Sequence, residues 1–450
     1  MTGPRGLVLA APSSGTGKTT LTLALLRRLR NAGRPAAPVK IGPDYIDPAF
    51  HAAASGRPCR NLDLWAMRPG TVAALAWRAG TEAGTGLVLA EGAMGLFDGV
   101  AGCCGATAGL ALATGWPVVL IVDVRGQAGS VAAVIHGFHT FHPELRLSGV
   151  IFNHVGSDRH EALLRQATAP LDVPVLGAVR RHRDLILPDR HLGLVQAMEH
   201  PDLEAFLERA AAVIGHEVDL PALAAAARPL ALPRPPAGAG AGIPPLGQRV
   251  AIARDEAFAF AYDWLLEGWR AAGVEVLPFS PLSDQEPARD ADAVFLPGCY
   301  PELHAGRLAG NRGFLDGLRA AAGAGKPVYG ECGGYMVLGR GLIDRDGRRH
   351  AMAGLLAVET SFATRRLHLG YRQVELAGET PLGPAGAGFR GHEFHFATVP
   401  DGSRTGAPPA PRPLFHCRDA EGMACPPAGE RSGPVCGSFV HLIDRAPPRS

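Results

Sequence analysis

Gly6-Leu7-Val8-Leu9-Ala10-Ala11 runs directly into Pro12-Ser13-Ser14-Gly15-Thr16-Gly17-Lys18-Thr19-Thr20, and this junction decides how the chain folds. A short apolar strand turns through small residues into a helix, an arrangement that aims backbone N–H groups at phosphate oxygens. Gly15, Gly17 and Thr20 belong to the cradle, Lys18 reaches the terminal phosphates, and the Thr19 hydroxyl is placed to ligate Mg²⁺. The first position of the usual G-x-x-x-x-G-K-[ST] pattern holds Pro12 instead of glycine. An ordinary glycine-rich turn is the alternative. With a strand before it, a helix after it and Lys-Thr in register, the loop reads as a site for ATP or GTP.

Working outward, short apolar runs alternate with amphipathic stretches. Strands are expected at 6–10, around 37–41, and at 87–90, 118–122, 149–152 and 173–177, with helices at 19–31 and 129–138. From Arg228 to Gln248 fourteen of 21 residues are Pro, Gly or Ala, and no period survives, so the stretch reads as a linker. Beyond it the pattern resumes: strands at 250–253, 274–278, 293–296 and 328–329, and helices at 257–272 and 312–323. Both halves predict α/β domains built on parallel sheets, over 1–227 and 249–450. The Pro/Gly-rich stretches 400–413 and 421–434 read as surface loops, and no internal repeat is present.

In the first half, Lys40-Ile41-Gly42-Pro43-Asp44-Tyr45-Ile46-Asp47-Pro48 follows a strand and sets a lysine beside two carboxylates. The carboxyl ends of strands line the ligand crevice of an open α/β sheet, so Asp44 is a candidate Mg²⁺ ligand and Lys40 a phosphate contact. A solvated charged turn is the alternative. The strand Leu87–Ala90 ends in Glu91-Gly92-Ala93-Met94-Gly95-Leu96-Phe97-Asp98-Gly99, where Glu91 stands at the position of a second metal ligand. Asp98 is placed to meet metal or substrate. Asn153 ends the strand at 150–152, either to read the edge of a base or to cap a loop.

The second half carries Lys326-Pro327-Val328-Tyr329-Gly330-Glu331-Cys332-Gly333-Gly334-Tyr335, which has the form of a nucleophile elbow. Small neighbours permit the strained turn that exposes a nucleophile, and the following N–H groups stabilise an oxyanion. A buried structural cysteine is the alternative. The nucleophile needs a base. His441, expected at the end of the strand 437–441, competes for that role with His392 and His395. The turn Pro297-Gly298-Cys299-Tyr300-Pro301-Glu302 offers further amides for an oxyanion hole.

Bulk properties bound the function. A chain of 450 residues exceeds what one core usually holds. With 44 basic and 42 acidic residues there is no electrostatic case for nucleic acid or a membrane surface. The eight cysteines form no C-x-x-C pair, which argues against structural zinc or a secreted disulfide scaffold. No run reaches the length of a transmembrane helix, and the first strand leaves no room for a signal peptide, so a cytoplasmic enzyme is expected.

Taken together, APSSGTGKTT, KIGPDYIDP, EGAMGLFDG, LPDRHLGL, LPGCYPELHAGRLA and YGECGGYMVLG resemble the cobyrinic acid and hydrogenobyrinic acid a,c-diamide synthase family, in order, from about residue 5 to 445. The resemblance implies a P-loop domain similar to dethiobiotin synthetase, followed by a flavodoxin-like class I glutamine amidotransferase domain. It implies ATP and Mg²⁺, with L-glutamine and a corrinoid as substrates, and it allows a homodimer. Lys18 and Thr19 would serve the phosphates and Mg²⁺. Asp44 and Glu91 would join Thr19 as metal ligands, and Lys40 and Asn153 would contact phosphate and adenine. Tyr45, Ile46, Asp47 and Asp98 would lie near the corrinoid carboxylates. Cys332 would attack glutamine with His441 as base, and Gly298 and Gly333 would frame the oxyanion. ATP would phosphorylate a side-chain carboxylate, and ammonia kept from bulk solvent would displace the phosphate.

Two positions depart from the pattern. The Glu that class I amidotransferases carry two residues after the histidine is Ile443 here, which leaves a dyad and no named group to orient the imidazole. Cys299 stands where relatives have a second glycine, and would be strained if the site needs positive φ. Two rivals stand beside this reading. One is a P-loop regulatory or partitioning ATPase with a non-catalytic second half, against which the Cys332 elbow argues. The other is cobyric acid synthase, against which the PDYIDP run and the short length argue. Whether the macrocycle already holds cobalt stays open.

Overall fold

The computed structural model describes residues 3–82, 87–100, 106–182, 185, 189–190, 193–194, 196–236, 242–400 and 412–447. It divides into two units, Met1–Trp65 with Pro69–Ala239, and Ala66–Arg68 with Gly240–Ser450.

The first unit is built on a parallel sheet. Its strands are β1 (Arg5–Ala10), β2 (Ala37–Ile41), β3 (Arg60–Leu62), β4 (Leu87–Glu91), β5 (Val118–Asp123), β6 (Leu147–Val155) and β7 (Val175–Arg180), in the order β3-β2-β4-β1-β5-β6-β7. Val118 to Val122 are at most 1% exposed, as expected of strands covered on both faces. The covering helices are α1 (Lys18–Asn31), α2 (Ile46–Ser55), α3 (Pro69–Glu82), α4 (Thr107–Thr114), α5 (Val131–Thr140), α6 (Asp158–Thr168), α7 (Leu203–Glu217) and α8 (Leu220–Ala226). Helix α1 buries Leu21, Leu25 and Leu29 in the same core as Phe206, Leu207 and Ile214 of α7. Arg28 and Arg30 in its last turn complement the helix dipole. A small hairpin, β8 (Asp189–Arg190) with β9 (Gly193–Leu194), holds part of the LPDRHLGL run; the rest of that run lies outside the described residues.

In the second unit a parallel sheet contains β11 (Arg249–Ala253), β12 (Glu275–Phe279), β13 (Ala293–Leu296), β14 (Val328–Glu331) and β23 (Val435–Ser438). The order is β12-β11-β13-β14-β23-β22, with β22 (Glu430–Ser432) antiparallel at the edge. Helices α9 (Asp263–Ala271), α10 (Ala305–Gly310), α11 (Arg312–Gly323) and α12 (Gly333–Leu338) belong to this unit, and Phe314, Leu315 and Leu318 of α11 enter its core. Three short strands, β15 (Gly341–Ile343), β16 (Arg349–Ala351) and β17 (Glu359–Ser361), form a small sheet. A second, antiparallel sheet runs β21-β20-β18-β19-β24, from β18 (His368–Leu376), β19 (Gly388–His395), β20 (Phe415–Arg418), β21 (Ala424–Ala428) and β24 (Val440–Arg445).

Several expectations change. The helix expected over 257–272 starts only at Asp263, because Asp255 caps a turn through Ala257 and Phe258, and the Phe260 N–H then donates to the Gly298 carbonyl. The strand expected at 173–177 lies at Val175–Arg180, after Pro174. The 421–434 stretch is not loop throughout: β21 and β22 lie there as edge strands, where Pro426 and Pro427 cost no ladder hydrogen bond on the outer side. Of 400–413, residues 401–411 lie outside the described residues. His441 is the second residue of β24, not the end of a strand. Composition marks 228–248 as linker, and packing ties both its ends down. Strand β10 (Arg228–Pro229) pairs with β1, and the Ile243 carbonyl accepts the Trp269 indole N–H. Among the described residues no helix is long and apolar enough to cross a membrane.

Candidate active sites

The sheet register assembles the first site. Leu9 of β1 pairs with Glu91 of β4, and Glu91 pairs with Lys40 of β2, so three strand ends open side by side. After β1 the loop turns through Gly15 (φ 77°) and Gly17 (φ 81°), a region costly for other residues, and Gly17 then caps α1. Lys18 and Thr19 therefore occupy the first turn of α1 and Thr20 follows them. The Thr19 hydroxyl donates to Glu91 Oε1 at 2.7 Å and lies 3.5 Å from Asp47 Oδ2. Lys18 Nζ is 3.6 Å from Glu91.

Lys40 Nζ bridges Glu91 Oε1, at 3.0 Å, and Asp47, with Asp44 at 3.9 Å. Burial works against the Lys40 charge, but Glu91, Asp47 and Asp44 outweigh it and hold the ammonium above its ordinary range. Burial likewise opposes ionisation of Glu91, yet Lys40, His51 and Lys18 keep its carboxyl well below the usual range. Lys18 goes the other way: burial exceeds the pull of Glu91 and lowers its pKa.

Asp44 also shapes the turn. Its Oδ1 accepts the N–H groups of Ile46 (2.7 Å) and Asp47 (3.1 Å), which starts α2 and presents Tyr45 and Ile46 half-buried at the helix entry. Asp47, expected near the macrocycle, sits 5% exposed against Lys40 and Thr19, and its Oδ1 is buried without a hydrogen-bond partner. Thr19, Asp44, Asp47 and Glu91 thus make an all-oxygen donor set with one orphaned oxygen, which suits a hard divalent cation. Asp98 closes the turn over the loop, its Oδ2 accepting the Gly95 N–H at 2.9 Å. The Asn153 amide donates to the Thr16 carbonyl at 2.7 Å while its oxygen accepts the His154 N–H, so it braces the phosphate loop. His51 was not legible in the sequence. It lies on the buried side of α2, and its Nε2 donates to Glu91 Oε2 at 2.7 Å.

In the second unit, Gly330 and Glu331 of β14 lie between β13 and β23. Cys332 follows with φ 46° and ψ −103°, a strained conformation that aims its side chain out of the turn, and it begins α12. The glycines are required by contact. A Cβ on Gly334 would overlap the Leu296 carbonyl oxygen, and one on Gly333 would stand 3.0 Å from the Cys299 nitrogen. Gly298 marks the centre: a Cβ there would lie 3.1 Å from Cys332 Cβ and 3.2 Å from His441 Nε2, overlapping His441 Cε1. The loop after β13, the elbow after β14 and the start of β24 therefore meet at one point. The Gly333 N–H bonds the sulfur of Cys332 and favours its thiolate, although burial and then Glu302 push the thiol well up.

Of the three histidines, His441 faces Gly298 and Cys332. His392 stacks on its ring with centroids 5.0 Å apart. Both ring nitrogens of His395 are engaged, by the Ala397 carbonyl and by Glu393. Burial, then His392 and His395, hold His441 well below its ordinary pKa. Cys299 is not among the described residues with positive φ, so cysteine is unstrained there, and its thiol donates to the Glu256 carbonyl at 3.1 Å.

A phosphate loop beside a buried lysine–carboxylate cluster in one unit, and a cysteine elbow beside a histidine in the other, are the parts of a glutamine-dependent, nucleotide-using amidotransferase. Comparison with known proteins agrees. Residues 7–195 match the model of the CobQ/CobB/MinD/ParA nucleotide binding domain, and residues 249–447 that of the CobB/CobQ-like glutamine amidotransferase domain. A Brucella anthropi protein named hydrogenobyrinate a,c-diamide synthase is 54% identical over 445 residues, covering 98% of each chain. Proteins of the same name from Rhodobacter capsulatus (54% over 446 residues) and Rhizobium meliloti (52% over 441) cover 98% of this chain and 99% of their own. The chain belongs to the hydrogenobyrinate a,c-diamide synthase family. The match of its second half to a glutamine amidotransferase domain, with full-length relatives named synthases, stands against a P-loop regulatory ATPase with a non-catalytic second half.

Proposed function

We propose that this protein amidates the a and c side-chain carboxylates of hydrogenobyrinic acid, or of its cobalt-bearing counterpart cobyrinic acid, in cobalamin biosynthesis, with ATP and glutamine as co-substrates. Residues 1–227 form the synthetase domain and 249–450 the amidotransferase domain, joined by 228–248. The observation that carries the reading is the convergence of Cys332 and His441 on Gly298, because it makes the second unit a source of ammonia.

At that site His441 Nε2 takes the Cys332 proton and the sulfur attacks the glutamine amide carbon. Backbone N–H groups at Gly298 and Gly333 receive the oxyanion, ammonia leaves with the proton from Nε2, and water releases glutamate from the thioester. In the synthetase domain the substrate carboxylate attacks the γ-phosphorus of ATP and ADP departs. Ammonia then attacks the acyl carbon and phosphate departs, since a carboxylate alone has no usable leaving group. Gly15, Gly17, Lys18 and Thr20 hold the phosphates, Lys40 neutralises them, and Asn153, its amide already oriented, contacts the adenine. Thr19, Glu91, Asp44 and Asp47 would hold Mg²⁺, which supplies charge neutralisation during phosphoryl transfer. Tyr45, Ile46 and Asp98 face the macrocycle, with Asp47 at its edge. The protein works in the cytoplasm, and homodimer formation is retained as an expectation.

The test is direct. Purified protein is given ATP, Mg²⁺ and glutamine with hydrogenobyrinic or cobyrinic acid in separate reactions, and the products are weighed. Two amides on one acid are expected, and the preferred acid identifies the substrate. No amide on either acid would reject the assignment.

A further inference from the structure

With Ile443 two positions after it, His441 has no carboxylate where class I amidotransferases place one, and Ile443 is itself 1% exposed in the core. A different carboxylate lies beside the ring, at ion-pair and not hydrogen-bond distance. Glu331, the last residue of β14, is buried directly before the nucleophile. Its Oε1 accepts the Tyr329 hydroxyl at 2.9 Å and the Leu442 N–H at 3.1 Å, and its Oε2 lies 3.8 Å from His441 Nδ1. Leu442 follows His441 on β24, so one carboxylate both holds the backbone that carries the histidine and faces its ring. The opposite ring nitrogen, Nε2, lies beside Gly298: a Cβ there would stand 3.2 Å from Nε2 and 3.1 Å from Cys332 Cβ.

We propose that Glu331 is the positioning carboxylate of the Cys332–His441 pair. It fixes the Nδ1–H tautomer and stabilises the imidazolium that forms when Nε2 takes the Cys332 proton, the part that a carboxylate plays in Ser-His-Asp sites. The inference rests on the reading of Cys332 and His441 as nucleophile and base. The proton moves from sulfur to Nε2 and then to the departing ammonia; Glu331 neither gains nor loses one during the step.

The surroundings act on both partners of this pairing. Burial pushes the Glu331 carboxyl up to about 8, and lowers His441. An ion pair between them needs an ionised carboxylate beside a protonated imidazole, and burial opposes both charges. The other titratable groups facing the pair are Tyr329 on the Glu331 side, His392 and His395 from β19 on the histidine side, and Glu302, Cys299 and Glu393 around the thiol. Glutaminase activity should accordingly rise with pH toward about 8, as Glu331 ionises.

The experiment is the glutaminase reaction of full-length Glu331→Gln, followed across pH. The amide oxygen still accepts from Tyr329 and Leu442, so a purely structural role predicts kcat and profile like those of the parent. The positioning role predicts kcat lower by on the order of 10²-fold, KM for glutamine within about threefold of the parent, and loss of the rise toward pH 8. Ammonia-dependent amidation should be retained, which reports a folded chain. Parent-like kcat and pH profile in E331Q would overturn the proposal. If E331Q loses ammonia-dependent amidation as well, Glu331→Asp decides. It should keep the rise with pH while kcat falls, and an unchanged kcat overturns the proposal. Cys332→Ser, run alongside, tests the underlying reading separately. It should abolish glutamine hydrolysis and keep ammonia-dependent amidation, and surviving hydrolysis would reject Cys332 as nucleophile whatever E331Q does.

Discussion

Lys40 shows how much one side chain can hold together. Its ammonium is 2% exposed and compensates Glu91 and Asp47, both themselves buried, while His51 satisfies the remaining Glu91 oxygen. Removing one partner of such a cluster leaves an uncompensated buried charge, which costs about 3–5 kcal/mol. Lys40→Met should therefore destabilise the first unit by that order, read as an earlier transition in denaturant. An unchanged transition would mean that the cluster is solvated in solution. Lysine and carboxylates were legible as candidates from their places after apolar runs. Their division of labour was not. Asp47 lies beside the metal-type ligands because the Asp44 turn starts α2 at Ile46 and brings residue 47 back over β2. His51 lies one helical turn further along the same inner face, where no sequence signal separates it from an ordinary core histidine.

At the scale of elements, the parallel strands were readable because each is a short apolar run covered on both sides, and the error at their ends is at most three residues. The antiparallel sheet was not readable. Strand β18 mixes polar and apolar residues, and β21 contains two prolines that only an edge position tolerates. That sheet matters, since β24 carries His441 and β19 carries the histidine stacked on it. The elbow is the element most dependent on its composition. Helix α12 packs so closely on β13 that a methyl group on Gly334 would strike the Leu296 carbonyl. Gly334→Ala should lower the stability of the second unit by about 1–3 kcal/mol and abolish glutaminase activity, because the elbow must move as a body. Wild-type glutamine hydrolysis by that variant would show that α12 has slack that the packing does not indicate. Cys299, by contrast, needs no glycine: its φ is negative and its thiol is tied to Glu256.

On the scale of the whole molecule, two cores of different character share one chain. The second unit buries neutral histidines. Burial lowers His392 to about 3, and burial with its neighbours holds His441 well below its ordinary value. Because the unfolded chain binds these protons near 6.5 and the folded one does not, the stability they permit is full above that pH. It is lost as pH falls through 6.5 toward 3. Glu331 and Glu302, raised to about 8 by burial, act in the opposite sense between pH 7.5 and 5. The histidine part is therefore read by difference. In thermal melts His392→Asn should lose less second-unit stability than the parent as pH falls below 6.5, and an identical dependence would contradict it. The sequence by itself determined the phosphate loop, the cysteine elbow, the two-domain order and the family resemblance, because each is written in contiguous residues whose local geometry is forced by glycine, apolar runs and turn chemistry. Only the tertiary structure decided which histidine faces Cys332, which carboxylate faces that histidine, and where Asp47 sits. The first two relations join residues more than a hundred positions apart through strand register, Asp47 meets Thr19 28 positions away, and pairing across a sheet leaves no local trace in the chain.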